Sequence, residues 1–203
     1  MMSTSNAEEV EGSSVDQVIL DAARECVAEF GVKRTTLVEV ARRAGVSRPT
    51  VYRRWPDTRA LIGDLLTREL RETVAHADIR GADGRTKVVR TIVASAAAVR
   101  NNPLFQKIFR TDTDLLLTYI VDRLGRSQHE LVAVFTAYIA AGQADGSIRA
   151  GDPVQLATML LLIVQSAVQS AQIVADALPG AALDTELAIA IDGYLRPISG
   201  DTK

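Results

Sequence analysis

The chain has 203 residues, 47% of them hydrophobic and 24% charged, with a formal net charge of −2. Such a length and balance suit one or two compact domains with a sizeable core and argue against a disordered chain. Charge is unevenly placed: residues 1–30 hold seven acids and one base, Arg24, whereas residues 31–60 hold eight bases against Glu39 and Asp57. A basic stretch in an acidic chain reads either as a local phosphate-binding face or as an unevenly charged solvated surface.

The segment over residues 1–13 lacks the basic and apolar regions of a secretion signal and reads as a short disordered tail. Apolar residues then recur at three- and four-residue spacing along the whole chain, with no sustained alternation, so the fold class is all-α. A first helix is expected from Val15 to Phe30, with Val18, Ile19, Ala22, Ala23, Cys26 and Val27 on one stripe. Gly31 follows as a left-handed cap. Cys26, the single cysteine, sits on that stripe and reads as core. With no second thiol for an intrachain disulfide, a reducing, cytoplasmic setting is expected.

A second helix is expected from Thr35 or Thr36, with Glu39 completing a capping box on Thr36 and with Leu37, Val40 and Ala41 facing inward. Gly45 ends it. Ser47 caps a short third helix with Pro49 in its first turn, where a missing N–H costs nothing. Val46 and Val51 pin this helix inward, which leaves Arg48, Thr50, Tyr52, Arg53 and Arg54 outside. Two short helices joined by a tight glycine turn form a helix-turn-helix. Arginine can grip guanine bidentately, threonine can meet a thymine methyl, and the tyrosine and hydroxyl groups can hold phosphates. Thr35 and Thr36 start a helix whose N–H groups and dipole suit another phosphate, with Lys33 and Arg34 beside them. The plainer alternatives are that Arg42 and Arg43 are merely solvated and that Tyr52 packs with a wet hydroxyl.

From Ile19 to Ile62 the sequence ILDAARECVAEFGVKRTTLVEVARRAGVSRPTVYRRWPDTRALI closely resembles the TetR family of transcriptional regulators. Many fixed points match at fixed spacing: Phe-Gly at the first helix end, Thr-Thr, Ala-Gly-Val-Ser, Thr-x-Tyr and an aromatic. The resemblance implies an all-α homodimer that represses transcription and a second domain that binds an effector. By the match, Thr36, Arg48, Thr50, Tyr52 and Arg53 fall at positions the family uses for DNA. The expected DNA-binding set is Lys33, Thr35, Thr36, Arg48, Pro49, Thr50, Tyr52, Arg53, Arg54 and Arg59. Two departures stand out. Pro49 replaces the family's usual Gly or Ala, and Thr58 replaces its common Lys, with Arg59 about 100° further round the helix.

A fourth helix carries Leu61, Leu65, Leu66 and Leu70 towards Ala77. Further helices are expected over residues 86–100, 103–110, 112–124, 127–144, 153–178 and 184–196, separated by Asn-Pro, Gly and Pro-Gly breaks. The domains are then a tail over 1–13, a DNA-binding domain over 14–62, and an effector-binding and dimerisation domain over 63–203. Residues 153–175 carry no charge and are long enough to span a bilayer, but Gln155, Gln165, Gln169 and Gln172 interrupt them and no Lys/Arg cluster flanks them. A helix buried in the protein or in a dimer interface fits better, so no membrane partner is expected.

The last two helices are expected to pair in a dimer. Gln165, Gln169, Gln172 and Asp176 form one polar stripe that reads as dimer hydrogen bonding, as a wet edge, or as one side of a ligand pocket. Phe105, Phe109, Tyr119, Phe135 and Tyr138 are candidate walls for a mostly apolar small-molecule effector, and each also reads as plain core. Enzymatic readings fare poorly. His76 and His129 lie far apart without metal-ligand spacing, Asp112 and Asp114 look like capping chemistry, and residues 81–85 match no phosphate loop. No metal or cofactor is expected. The expected partners are double-stranded operator DNA, a second copy of the chain and an unidentified effector. Two other readings remain: a regulator that has lost its ligand, or a helical enzyme with an incidental helix-turn-helix.

Overall fold

A computed structural model describes residues 4–75, 81–111 and 126–198. Every regular element among them is helical. The helices are α1 (Thr4–Phe30), α2 (Leu37–Arg43), α3 (Arg48–Arg54), α4 (Thr58–Ala75), α5 (Gly84–Asn101), α6 (Pro103–Thr111), α7 (Arg126–Ala144), α8 (Pro153–Ser170) and α9 (Gly180–Leu195). A short 3-10 turn, Val32–Arg34, links α1 to α2. The chain divides into two compact units, residues 1–69 with 106–118 and residues 70–105 with 119–203, so the break falls inside α4.

The first unit is built on the expected stripe. Ile19, Ala22, Ala23, Cys26 and Val27 of α1 are buried with Leu37, Val40 and Ala41 of α2, Val51 of α3, Trp55, and Leu61, Ile62 and Leu65 of α4. Each fully buried aliphatic side chain contributes roughly 1.5–3 kcal/mol of transfer free energy, so this cluster dominates the unit's stability. Burial pushes the Cys26 thiol above its ordinary 9.0, against the opposing pull of Arg43. Lys107 of α6 donates to the carbonyls of Ala28 (2.6 Å) and Glu29 (3.3 Å), a cation set on the carboxyl end of α1.

The helix ends require some corrections. α1 begins at Thr4, within the segment where a disordered tail is expected. Gly31 has φ 80° but ψ 167°, so it does not close α1 in the left-handed helical region and instead turns the chain into the 3-10 segment. Gly45 does take the left-handed conformation, φ 67°, and Val46 N–H then returns to Ala41 O at 3.1 Å. α8 stops at Ser170, short of the expected 178. Beyond it Gln172 to Ala177 are all exposed, and a helix without a buried face has little to hold it, so the backbone tightens into turns such as Ile173 N–H to Ser170 O (2.9 Å). The stripe drawn through Gln172 and Asp176 therefore ends at Gln169. The helix expected over 112–124 and the candidate wall Tyr119 lie outside the described residues.

In the second unit α5 packs against α7, α8 and α9. Val88, Ile92, Ala96 and Val99 of α5 meet a core made by Phe135 and Ile139 of α7, Leu156, Ala157, Leu160 and Leu161 of α8, and the four-residue-spaced row Leu183, Leu187, Ile191 and Leu195 of α9. The start of α5 crosses α7 closely: a Cβ on Gly84 would lie 2.5 Å from Gly142 Cα, and one on Gly142 would lie 2.4 Å from Ile148 Cδ1. Asp145 fixes this crossing by accepting Gly84 N–H (2.8 Å) and Ser147 N–H (2.9 Å), while Asp83 caps α5 through Thr86 N–H (2.7 Å). These hydrogen bonds to Ser147 and Thr86 hold both carboxyls below the ordinary 3.8. Arg100 reaches Asp184 at 2.6 Å and ties the end of α5 to the N-terminal half of α9.

α8 has the length and apolar composition of a membrane-crossing helix. One face of it, Leu156, Ala157, Leu160, Leu161 and Val168, is core of the second unit. The opposite face leaves Met159 and Leu162 exposed, and Val154 is exposed in the first turn.

Candidate nucleic-acid interface

The turn between α2 and α3 fixes the geometry. Thr36 caps α2 by accepting Glu39 N–H at 3.2 Å. Only half of the expected box forms, because the Glu39 carboxylate turns forward to Arg42, taking Nε at 2.9 Å and Nη2 at 2.6 Å. The Arg42 guanidinium holds the Glu39 carboxyl below its ordinary 4.5. Ser47 caps α3 by accepting Thr50 N–H (3.3 Å), and the Ser47 and Thr50 hydroxyls lie 2.8 Å apart. Pro49 sits in the first turn of α3, exposed, where it sacrifices no helical hydrogen bond. α3 buries Val51 completely. Its end is held by Trp55, buried at 4% exposure, whose Nε1 donates to Asp64 of α4 at 2.9 Å. Asp57 caps α4 through Ala60 N–H (2.7 Å).

The arginines of this unit sort into two sets. Arg42 pairs with Glu39. Arg43 pairs with Glu29 of α1 at 2.6 Å and lies over the Phe30 ring, 5.4 Å from its centroid. Arg54 pairs with Asp16 of α1, and Arg68 of α4 pairs with Asp21 of α1 at 2.8 Å. So α2, α3 and α4 each deliver one arginine to a carboxylate of α1, which gives three of the seven acids in the first thirty residues a structural partner. Arg34, Arg48 and Arg53 are exposed, and no side chain among the described residues pairs with them. Tyr52 is 51% exposed between Val51 and Arg53.

Two members of the expected DNA-binding set turn inward and meet partners within the protein. Thr35 is buried at 4% exposure, and its hydroxyl donates to Gly31 O at 2.9 Å, closing the loop ahead of α2 instead of facing outward. Arg54 has its Nε on Asp16 and its Nη1 on Thr50 O (3.3 Å), with the side chain 18% exposed. The adjacent acid explains both the pairing and the orientation. Lys33, Thr36, Arg48, Pro49, Tyr52, Arg53 and Arg59 are exposed, and Thr50 is half-buried. What remains outward on α3 is a cationic, hydroxyl-bearing strip of the kind a major groove receives.

The expected effector residues fall in both units. Phe105 and Phe135 are buried in the second, where Tyr138 and Gln169 are half-buried. Gln165 is half-buried and accepts from Gln128 of α7 at 3.1 Å. Phe109, half-buried, belongs to the first unit. Among the described residues, no three His, Cys, Asp or Glu side chains cluster as metal ligands would.

Residues 19–65 match the model of the bacterial regulatory proteins of the tetR family. The chain is 48% identical over 177 residues, 87% of its length and 92% of the relative's, to the HTH-type transcriptional regulator Rv2250c of Mycobacterium tuberculosis. Its fold is similar to that of the transcriptional repressor QsdR of R. erythropolis (TM-score 0.68, 15% identity, covering 90% of this chain and 95% of that one). It is similar also to RolR in complex with its ligand resorcinol (TM-score 0.67, 16% identity, covering 92% and 90%). A helix-turn-helix with an outward basic strip, matched in sequence along nearly the whole of a regulator, leads to one conclusion: this chain belongs to the TetR family of DNA-binding transcriptional regulators.

Proposed function

We propose that the protein is a repressor that binds a palindromic operator as a homodimer and leaves it when a small, mostly apolar molecule binds the second unit. The observation that carries the DNA half is the sorting of the arginines. Arg48 and Arg53 stand outward on α3 without a partner among the described residues, beside Tyr52, while neighbouring arginines are neutralised by carboxylates. Arg48 and Arg53 grip base edges, Thr50 and Tyr52 meet a methyl group and phosphates, and Thr36 at the start of α2 holds a further phosphate. Lys33, Arg34 and Arg59 add long-range attraction.

The dimer reading is supported by apolar side chains left in water on the last two helices: Val154, Met159 and Leu162 of α8 and Ile189 of α9, each at least 44% exposed. An apolar surface of this kind on uncharged α8 is costly in a monomer and suits self-association. Two reading helices related by a two-fold axis call for half-sites about one helical turn apart, or more. The effector reading is supported by the aromatic residues Phe105, Phe135 and Tyr138 in the second unit. The resorcinol carried by RolR is a small aromatic molecule of the expected kind. The protein acts in the cytoplasm, where its operator is.

The test is fluorescence anisotropy with duplex DNA from upstream of the protein's own gene. Binding is expected at roughly nanomolar concentration, steeply salt-dependent, and far tighter than to random duplex. Equal affinity for both duplexes refutes operator recognition. A panel of small aromatic and aliphatic compounds should contain some that release the DNA, and a bound complex indifferent to all of them counts against the effector half.

A further inference from the structure

α3 is seven residues long and buries one of its side chains, Val51. Trp55 holds the chain just past its last turn, so within the helix itself a single apolar contact resists roll about the axis, and each residue's worth of roll is about 100°. Whatever fixes the roll decides which side chains meet a groove. Arg54 lies three residues beyond Val51 and so leaves the helix on nearly the same side. Its Nε reaches Asp16 on α1, and its Nη1 returns to Thr50 O of its own helix at 3.3 Å, so the guanidinium bridges the two helices. At 18% exposure for Arg54 and 41% for Asp16, the pair is partly shielded from water.

We infer that Arg54 and Asp16 are a positioning pair for the reading helix. Arg54 touches no DNA, and beside Val51 and the anchored Trp55 it is the polar contact that fixes the roll of α3, so that Arg48, Tyr52 and Arg53 face the bases together. Loss of the pair leaves the cations attached to the protein but aims them poorly. Sequence-specific binding falls and nonspecific attraction to phosphate stays.

The inference rests on α3 reading bases, and the two can fail separately. A duplex is first selected by the wild-type full-length protein from a randomised pool. Affinities of wild type, Asp16→Asn, Arg54→Ala and the double variant are then measured by anisotropy on that duplex and on the unselected pool, across a salt series. Simple charge counting says Asp16→Asn, which removes an anion near DNA, tightens binding. Positioning predicts the reverse: affinity for the selected duplex drops roughly ten-fold, the size of one misdirected base contact. Affinity for the pool does not fall. Arg54→Ala should match Asp16→Asn, the double variant should be no worse than either, and the salt slope should stay that of wild type. The exchanged pair Asp16→Arg with Arg54→Asp should recover part of the selectivity, and it serves as the decisive comparison if a single variant loses its helical circular dichroism. The inference is overturned if Arg54→Ala lowers the salt slope by about one and weakens both duplexes alike, which is the behaviour of a phosphate ligand. It is equally overturned if Asp16→Asn keeps full selectivity, or if the folded exchanged pair recovers none. A wild type without selectivity would sink base reading by α3, and this inference with it.

Discussion

α3 and α8 are opposites that share one property. α3 is seven residues long, rich in arginine and anchored by Val51. α8 is eighteen residues long, uncharged, and contributes Leu156, Ala157, Leu160, Leu161 and Val168 to a core. Yet each leaves on its outer side what folding alone does not need. α3 shows guanidinium groups that meet no partner among the described residues, and α8 shows Met159 and Leu162 to water. In a protein where α2, α3 and α4 each send an arginine to α1, unneutralised cations are conspicuous, and in a bundle with a continuous aliphatic core an exposed apolar strip is equally so. The lesson is that function is best sought in what remains after intramolecular pairing. The outer side of α3 suits a polyanion, and the outer side of α8 suits another apolar surface.

The comparison breaks most visibly if α8 is altered. Met159→Glu with Leu162→Glu should convert dimers to monomers in sedimentation velocity and lower operator affinity by roughly a hundred-fold or more, since the paired half-sites no longer act together. An unchanged sedimentation coefficient would remove α8 from the interface. Next in size is Arg48→Ala, expected to cost about 1–3 kcal/mol at one base position and to relax preference there, read by competition among single-position operator variants. Thr36→Ala should destabilise the first unit by about 1 kcal/mol through the lost cap and weaken all duplexes alike, which separates phosphate holding from base reading. Arg42→Ala should leave the salt slope untouched, because its charge is already met by Glu39; a reduced slope would put Arg42 on the DNA. The smallest effect concerns pH. The Asp83 and Asp145 carboxyls are held below their ordinary 3.8, so they stabilise the second unit above that value and lose the contribution as pH falls through their lowered values. Asp145→Asn should flatten the acid limb of a thermal-melt pH profile; an unaltered limb would assign the acid sensitivity elsewhere.

Much of the first unit could be read from spacing alone. Gly45, Ser47, Pro49 and Val51 each carry a local instruction: a positive φ, a cap, a helix start or an inward side chain. Local rules do not say where a long side chain ends, so the partners of Arg54 and Arg43 on α1 were not legible. Asp16 lies thirty-eight residues from Arg54 and comes beside it only through packing. The same holds for Thr35, whose hydroxyl could equally have faced a phosphate until the chain turned it back to Gly31. In the second unit the helices were legible from period, but the end of α8 was not. Residues 171–178 keep helix-compatible composition up to Pro179, and the missing ingredient is a neighbour to bury them.

The sealed Cys26 has a practical consequence. It is the chain's one cysteine, fully buried, with its thiol pushed towards the unreactive protonated form. A maleimide dye or spin label will pass it by, so a cysteine introduced on the outer side of α3 or α8 becomes a unique attachment point in otherwise native protein. If the proposed dimer forms, two such probes, one from each copy, would act as a molecular ruler for how far the two α3 helices stand apart with and without DNA.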